Sequence, residues 1–256
     1  YHLSSKTLGH YDNELAGFNP DELIGYPSAI YNLATLYSEN NRTPSFKPKI
    51  IVTNSETLFS WQRKIIERVF GCTIYDYYGT AEYILFAGQG KDLSYVVNPI
   101  LGVHEIIDDQ SFASSSGRII GTSLTNTVMP LLRYEIGDTA EGFGEFSIKT
   151  FTGRVDDQIH TPDGRRIGRT GEIFGFFENI KEAQIIQHSI DYCEILIVRL
   201  SETAYVPKKQ ILEKLSKKFG SEIHFEINFV ENIEKSRNGK FKAVKSHMKM
   251  QKKSSS

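Results

Sequence analysis

Hydrophobic positions near the start of the chain recur at helical spacing. Ile30, Leu33, Ala34 and Tyr37 fall on one face of a predicted helix, and Ser28 lies where a side chain would cap its first turn. A second helix is predicted by a further set of apolar residues at the same spacing: Leu58, Ile65, Ile66, Val69 and Phe70. That set is followed by Gly71, and glycine commonly ends a helix.

Short β-branched runs lie on either side of the second helix. Lys49–Thr53 precedes it and Thr73–Tyr77 follows it, and both runs have the composition of a buried strand. A strand, a helix and a strand in this order predict two parallel strands joined by a crossover. Beyond Glu82 the pattern predicts strands separated by turn residues: Ser94–Val97, Val103–Ile107, Gly117–Ser123 and Leu131–Tyr134.

The pattern changes after the glycine-containing stretch Gly142–Arg154. In the remainder of the chain, Ile159–Ile167 predicts a hairpin with a Pro-Asp-Gly turn, and Lys181–Gln187 and Tyr192–Leu200 predict paired strands. Pro207–Phe219 predicts a helix that begins at proline, and Glu222–Val230 predicts a last strand. We therefore expect a boundary near Thr152. Residues 1–152 would form an α/β domain and residues 153–256 a smaller α+β domain.

Composition excludes several classes of protein. The apolar fraction of 39% and the charged fraction of 24% are those of a globular protein, and no apolar run reaches the roughly 18 residues of a membrane span. The two cysteines, Cys72 and Cys193, cannot form a disulfide framework or a zinc ligand set. We expect both thiols to be buried and the protein to be cytoplasmic. Because the chain begins with Tyr1, we also expect a fragment or a processed product.

Charge is unevenly distributed around a net value of −1. Basic residues outnumber acidic ones from Val206 onwards. A basic segment could attract nucleic acid, but no aromatic residue interleaves the cluster at Lys249–Lys253, so a base-stacking platform is not supported. We favour a solvated small domain with a basic tail. Nucleic-acid binding would instead be salt-sensitive and lost on deletion of Lys249–Ser256.

The segment Tyr77–Glu82 lies at the end of a predicted strand, where ligands of open α/β sheets collect. A tyrosine offers a flat face to a purine, Gly79 lets a ligand approach the backbone, and Glu82 offers hard oxygen to Mg²⁺. The alternative is an ordinary strand end with a packed tyrosine and a solvated glutamate.

Asp138 ends the run Arg133–Asp138. A carboxylate can accept two hydrogen bonds from a ribose diol, each contributing roughly 1.5–3 kcal/mol. A simple Gly-Asp turn after a strand is the alternative.

The next segment, Gly153–Asp157, coincides with the predicted boundary and is suited to a hinge. Otherwise Arg154 would form surface ion pairs worth about 0–1 kcal/mol. Asn238–Lys240 is a turn signal followed by a lysine, which in isolation is typical of an exposed turn.

In this order and spacing, the four segments resemble the C-terminal half of the adenylate-forming enzymes, especially the branch of phenylacetate–CoA ligase and capsular-polysaccharide biosynthesis proteins. The resemblance implies the last part of a large domain, with a mixed sheet, helices and a β-rich subdomain, followed by a small α+β lid domain. It also implies a role for individual residues: adenine stacking for Tyr78, metal binding for Glu82, ribose binding for Asp138, a ribose or phosphate contact for Arg154, the hinge for Asp156, and charge neutralisation during attack of the carboxylate on ATP for Lys240.

Three further assignments come from the same resemblance. The family often has Thr or Ser where this chain has Ala81, so a hydroxyl contact to the α-phosphate would fall to Thr80. Ser55 and Glu56 lie in a segment that resembles the strand-to-helix turn beside the adenine, and Gly25–Ser28 resembles a segment near the acyl pocket. For Ser28 and Ser55 themselves, we favour a capping role.

The implied reaction joins a small-molecule carboxylate to a thiol, often coenzyme A, through an acyl-adenylate made from ATP with Mg²⁺. The Ser/Thr/Gly-rich phosphate loop of these enzymes has no counterpart here, so we expect the chain alone to be inactive. That absence, together with Ala81, keeps a second interpretation open. The chain could be a non-catalytic nucleotide- or acyl-binding module, or a scaffold in polysaccharide assembly.

Overall fold

The computed structural model describes residues 3–144, 146–168, 170–177, 179–236 and 240–248. The chain divides into two compact units, Tyr1–Gly153 and Arg154–Ser256. The expected boundary, between residues 152 and 153, lies one residue before this division. Among the described residues, no helix has both the length and the apolar character needed to cross a membrane.

The first unit is a mixed α/β structure, as the hydrophobic pattern predicted. Its helices are α1 (Leu8–Phe18), α2 (Pro27–Glu39) and α3 (Ser60–Phe70). Its strands are β1 (Glu22–Gly25), β2 (Ile50–Asn54), β3 (Thr73–Gly79), β4 (Phe86–Gln89), β5 (Tyr95–Val97), β6 (Gly102–Ile107), β7 (Ser116–Ser123), β8 (Tyr134–Gly144) and β9 (Ser147–Arg154).

These nine strands form one sheet in the order β1-β2-β3-β4-β5-β9-β8-β7-β6. β1, β2 and β3 pair in parallel, which confirms the predicted crossover around α3, and β3 pairs with β4 antiparallel. The predicted apolar face of α2 is buried against α3 and the parallel strands. Gly71 ends α3 in the left-handed conformation, with φ of +66°. A second cluster of buried residues fills the antiparallel part of the sheet.

Several local predictions in this unit are wrong. The residues Leu131–Arg133 are not strand: Leu132 is 80% exposed and Arg133 has φ of +45°, so β8 begins only at Tyr134. Ser28 is not a cap, because α2 begins one residue earlier with Tyr26 as its N-cap residue. Ser55 caps nothing either, since α3 begins at Ser60. Cys72 is only half-buried, whereas Cys193 is fully buried.

Close backbone approach fixes the turn that follows β3. Ile84 is almost fully buried beneath β6 and β7. A Cβ atom on Gly102 would lie 2.1 Å from the Ile84 carbonyl oxygen, and one on Gly121 would lie 2.2 Å from Ile84 Cγ2. Only glycine at these two positions therefore allows the turn to pack against the sheet.

The second unit is the α+β structure that the sequence predicts. It contains two short 3₁₀ turns (Val155–Asp157 and Thr170–Phe176), the helix α4 (Lys208–Phe219), and the strands β10 (Ile159–His160), β11 (Arg166–Ile167), β12 (Ile180–Ser189), β13 (Tyr192–Arg199), β14 (His224–Phe229) and β15 (Val244–Ser246). β10 and β11 form the predicted hairpin, and β12 pairs with β13 antiparallel as expected. The larger sheet has the order β14-β13-β12-β15, and α4 packs on its buried face.

Candidate functional site

Two candidate segments meet at one edge of the parallel strands. Asn54, the last residue of β2, pairs with Tyr77 near the end of β3. Because the two strands are parallel, the residues that come after this pair, Ser55 and Tyr78, emerge at the same carboxyl edge of the sheet. This is the edge at which open α/β sheets bind ligands.

Tyr78 is held on its ring face and at its hydroxyl. Its ring stacks on Phe151 of β9, with ring centroids 3.8 Å apart and planes 12° from parallel. Its hydroxyl donates a hydrogen bond to Asp138 Oδ2 at 2.5 Å. The residues expected to contact adenine and ribose are therefore neighbours in the folded chain.

Asp138 is placed by a bulge in β8. Arg118 of β7 pairs with Thr139, while Ile120 pairs with Glu135, so Ile136, Gly137 and Asp138 lie opposite the single residue Ile119. Gly137 has φ of +84°, a conformation that glycine adopts at little cost. Bulges commonly redirect a side chain next to a binding site. The Ile-Gly-Asp part of the motif therefore forms the bulge that orients the Asp138 carboxylate.

Phe151 packs against a buried hydrogen-bond network. Tyr95 packs edge-on against Phe151, with ring centroids 4.9 Å apart. The Tyr95 hydroxyl donates to Asp76 Oδ2 at 2.7 Å, and Thr53 Oγ1 donates to Asp76 Oδ1 at 2.6 Å. Because Asp76 and Thr53 lie on the paired parallel strands, this network links the Tyr78 platform to the core of the sheet.

The turn after β3 carries Thr80 and Glu82. Thr80 Oγ1 accepts hydrogen bonds from the amides of Ile84 and Leu85, at 3.2 and 3.4 Å. The hydroxyl therefore already organises the turn, although its own proton remains a donor. Glu82 Oε1 accepts a 3.4 Å hydrogen bond from the Tyr134 hydroxyl.

Glu82 fits one particular kind of metal site. No group of three or more His, Cys, Asp or Glu side chains in the described part of the chain is arranged to hold an ion. Magnesium, however, commonly takes one or two protein carboxylates and completes its shell with water and substrate phosphates. A half-buried carboxylate oriented by a tyrosine is compatible with that arrangement.

Glu56 lies where the resemblance placed it, but it already has protein partners. Its two carboxylate oxygens accept from the amide and the hydroxyl of Ser28, at 3.0 and 3.1 Å. Glu56 thereby satisfies an unpaired amide at the start of α2. Ser55 is exposed, has φ of +66°, and donates to Asn54 Oδ1 at 2.8 Å.

The end of β9 is fastened to β8 beside Asp138. Thr139 Oγ1 donates to the Gly153 carbonyl oxygen at 2.9 Å and lies 2.6 Å from Thr152 Oγ1. Gly153 has φ of +105°. Arg154 is exposed, and the Asp156 backbone lies in the first 3₁₀ turn of the second unit. The Asp156 side chain is outside what the structure describes.

Lys240 belongs to the second unit. Its amide donates to Ser236 Oγ at 3.0 Å, and the Ser236 amide donates back to the Lys240 carbonyl oxygen at 2.9 Å. The side chain of Lys240 is half-buried. Asn238 and Gly239, the other two residues of this motif, lie outside the described residues, as does the basic tail from Lys249.

The fold is that of the adenylate-forming ligases. A 2-hydroxyisobutyryl-CoA ligase, solved in the postadenylation state with 2-HIB-AMP, aligns with a TM-score of 0.75 and 16% identity, covering 95% of this chain and 58% of that chain. At such low identity the likeness concerns the fold alone. It nevertheless spans both units of the present chain.

Sequence comparison identifies the branch. Residues 159–247 match the model of the CapK C-terminal domain. Protein CapK of Staphylococcus aureus is 30% identical over 256 aligned residues, which cover 94% of this chain and 56% of that protein. Indoleacetate–lysine synthetase of Pseudomonas savastanoi is 30% identical over 188 residues, covering 72% of this chain and 42% of that protein. The chain thus spans about half the length of these curated relatives. The predicted resemblance to the C-terminal portion of the CapK-like adenylate-forming branch is confirmed.

Sequence reasoning missed the residues that support the candidate site. Phe151 and Thr139 were not identified. The stretch Gly142–Arg154 was noted only for its glycines and for the change of pattern beyond it, whereas the structure has β9 there. The β-branched and aromatic run from Ile148 to Thr152 was the available signal for a strand. Asp76 and Tyr95, by contrast, offered no local signal that they would meet.

Proposed function

We propose that this chain is the C-terminal part of a ligase that activates a small-molecule carboxylate with ATP as an acyl-adenylate. The observation that carries this proposal is the contact of the Tyr78 hydroxyl with the Asp138 carboxylate at the carboxyl edge of β2 and β3. The contact brings together a flat aromatic ring and a carboxylate that can accept hydrogen bonds from ribose hydroxyls. The sequence match to Protein CapK also supports adenylate-forming chemistry.

In this proposal the first unit binds the nucleotide. The Tyr78 ring packs on adenine, Asp138 accepts hydrogen bonds from the ribose hydroxyls, and Thr80 donates to the α-phosphate. Ser55 and Glu56 border the adenine at the same strand edge. When bound, Mg²⁺ neutralises phosphate charge, and Glu82 is the residue that would hold it.

The second unit supplies Lys240 for adenylation. An ammonium group next to developing negative charge lowers the barrier for attack of the carboxylate on the α-phosphate, and pyrophosphate leaves. Arg154 contacts ribose or phosphate, and Asp156 is the hinge about which the second unit turns between adenylation and acyl transfer. We propose a thiol such as coenzyme A as the acyl acceptor, and no turnover by this chain alone.

The test is pyrophosphate release by the protein that the whole reading frame encodes. A carboxylate panel with MgATP should contain at least one acid that raises pyrophosphate release above the acid-free rate. ATP binding without release, for every acid, would instead favour a nucleotide-binding module or scaffold. A non-catalytic role is favoured by Ala81, which stands where the family often has a hydroxyl.

The acceptor is tested separately. The matched relative that is named as a synthetase joining indoleacetate to lysine points to an amine as the second candidate. A preformed acyl-adenylate should be consumed faster when coenzyme A is added than when free lysine is added. The reverse order would replace the thiol with an amine and leave the adenylation step unaffected.

A further inference from the structure

Three hydrogen bonds join Ser236 and Lys240. The Lys240 carbonyl oxygen accepts from the Ser236 amide and hydroxyl, at 2.9 and 3.1 Å, and the Lys240 amide donates to Ser236 Oγ. These bonds fix Lys240 to Ser236.

The segment after Lys240 is fastened to β12. The buried amide of Gln184 donates to the Lys242 carbonyl oxygen at 2.6 Å, and the Ile185 amide donates to the Ala243 carbonyl oxygen at 2.9 Å. β15 then continues in parallel pairing with β12. The backbone of Lys242 is therefore held at a defined position beside the sheet.

The Lys242 side chain connects this position to the start of the unit. Its Nζ lies 3.1 Å from Oδ1 of Asp157, the last residue of the first 3₁₀ turn. The Asp157 side chain is only 25% exposed. That turn begins two residues after Gly153, where the first unit ends.

We propose that Asp157 and Lys242 are a positioning pair that ties the segment from Lys240 to Val244 to the turn at which the second unit begins. This inference rests on the proposed role of Lys240 in adenylation. Both partners lie on the same side of the hinge residue, so the pair stays intact when the unit turns. It makes Asp157 and Lys240 move as one body, so rotation of the backbone at the hinge residue is transmitted directly to Lys240.

The pair acts on placement of Lys240 rather than on folding. Ion pairs with this degree of exposure contribute little to stability. Misplacement of a reacting group by about 1 Å, in contrast, can reduce a rate by about 100-fold. Removing the pair should therefore slow the step that uses Lys240 while the melting temperature moves by less than about 4 °C.

The main experiment measures two half-reactions of the full reading-frame protein. Asp157→Asn and Lys242→Met should each slow pyrophosphate release by about 10-fold, inside the range that misplacement can cause. Acyl transfer from a supplied adenylate should change by less than about 2-fold, because that step does not need Lys240. Lys242→Arg keeps a cation within reach of Asp157 and should retain most of the activity. Lys245→Met, on the adjoining strand, is the matched control and should behave as the wild type.

A double-mutant cycle tests whether the two residues act as a pair. Asp157→Asn combined with Lys242→Met should release pyrophosphate no more slowly than either single variant. Multiplied losses would show that the residues act independently. Equal slowing of both half-reactions would show a general structural defect. Either result overturns the positioning role.

A readout without catalysis uses the 256-residue chain itself. Backbone amides of residues 240–246 should exchange with deuterium at least about 3-fold faster in Asp157→Asn and Lys242→Met than in Lys245→Met. Unchanged exchange would overturn the inference even if the protein were inactive. If Lys240→Ala abolishes adenylation but Asp157→Asn affects neither adenylation nor exchange, only the positioning inference fails. If no carboxylate supports pyrophosphate release but exchange rises as expected, the proposed reaction fails and the pair remains.

Discussion

The Tyr78 hydroxyl in β3 donates a 2.5 Å hydrogen bond to the Asp138 carboxylate in β8, although three strands separate β3 from β8 in the sheet. Neighbouring strands lie about 4.8 Å apart, so four steps across a flat sheet would span about 19 Å. That span exceeds the combined reach of the two side chains. The sheet must therefore bend strongly through β4, β5 and β9, and this bend brings the two halves of the candidate nucleotide site together.

The Tyr78–Asp138 contact predicts graded losses of nucleotide affinity. Tyr78→Phe removes one hydrogen bond and keeps the ring, so AMP binding should weaken by about 2- to 10-fold. Asp138→Asn removes a charged acceptor and should weaken binding by about 10- to 100-fold. Titration calorimetry on the chain measures both. Tyr83→Phe, at an exposed position of the nearby turn, is the control. Unchanged affinity in Asp138→Asn would remove this residue from the site.

Gly121 should be intolerant of any side chain. Its Cβ atom would lie 2.2 Å from Ile84 Cγ2, and Ile84 is buried with little room to move. Gly121→Ala should therefore lower the free energy of unfolding by about 1–3 kcal/mol. Gly17→Ala has open space in α1 and should be neutral or stabilising by up to about 1 kcal/mol. Denaturant unfolding compares the two, and equal stability would mean that the turn after β3 is not packed as described.

Asp12 should make the stability of the first unit depend on pH. Burial raises the pKa of this carboxyl, but hydrogen bonds from Ser45 and Tyr37 and the charge of Arg42 outweigh burial and leave the pKa below its usual value. A folded-state pKa below the unfolded value stabilises the protein above about pH 4, and this stabilisation is lost as pH falls through the folded-state pKa.

Asp12→Asn should accordingly reduce the free energy of unfolding at pH 7 by about 1–3 kcal/mol. It should also flatten the decline of stability below about pH 4. Asp21→Asn, which removes an exposed ion pair with Lys49, should stay within about 0.5 kcal/mol of the wild type. An unchanged acid profile in Asp12→Asn would contradict this assignment.

Gly153 should resist substitution because of its backbone conformation. A Cβ atom there has open space, but φ of +105° is unfavourable for any residue with a side chain. Gly153→Ala should cost about 1–2 kcal/mol of stability. Gly88→Ala meets equally open space without a positive φ and serves as the comparison. Similar melting temperatures for the two variants would show that the chain at the unit boundary relaxes freely.

Local periodicity was sufficient to predict the elements whose burial pattern is regular. This group contains the apolar faces of α2 and α3 and the parallel strands β2 and β3. The burial pattern of each element can be seen within one continuous stretch of sequence. β8 was mispredicted for the opposite reason. Its bulge at Ile136–Asp138 breaks the period of two, and the apolar residues Leu131 and Leu132 that suggested a strand precede it in a loop.

The residues of the candidate site also fall into those that the sequence could identify and those that it could not. Tyr78, Asp138 and Glu82 could be identified because short motifs carry them. Phe151 and Thr139 could not, and neither could the pairing of Asp157 with Lys242. These contacts join residues that are distant in sequence, and they exist only once the sheet has bent and β15 has paired with β12.

The most direct test of the proposed reaction is the Lys240→Ala variant of the full reading-frame protein, assayed separately for its two half-reactions. Pyrophosphate release with the best carboxylate should fall by about 100-fold or more, because the ammonium that offsets developing charge is gone. Acyl transfer from a supplied adenylate should remain within about 2-fold of the wild type, and Lys235→Ala should leave both rates unchanged. Equal loss of the two half-reactions, or full pyrophosphate release by Lys240→Ala, would contradict the assignment of Lys240 to adenylation.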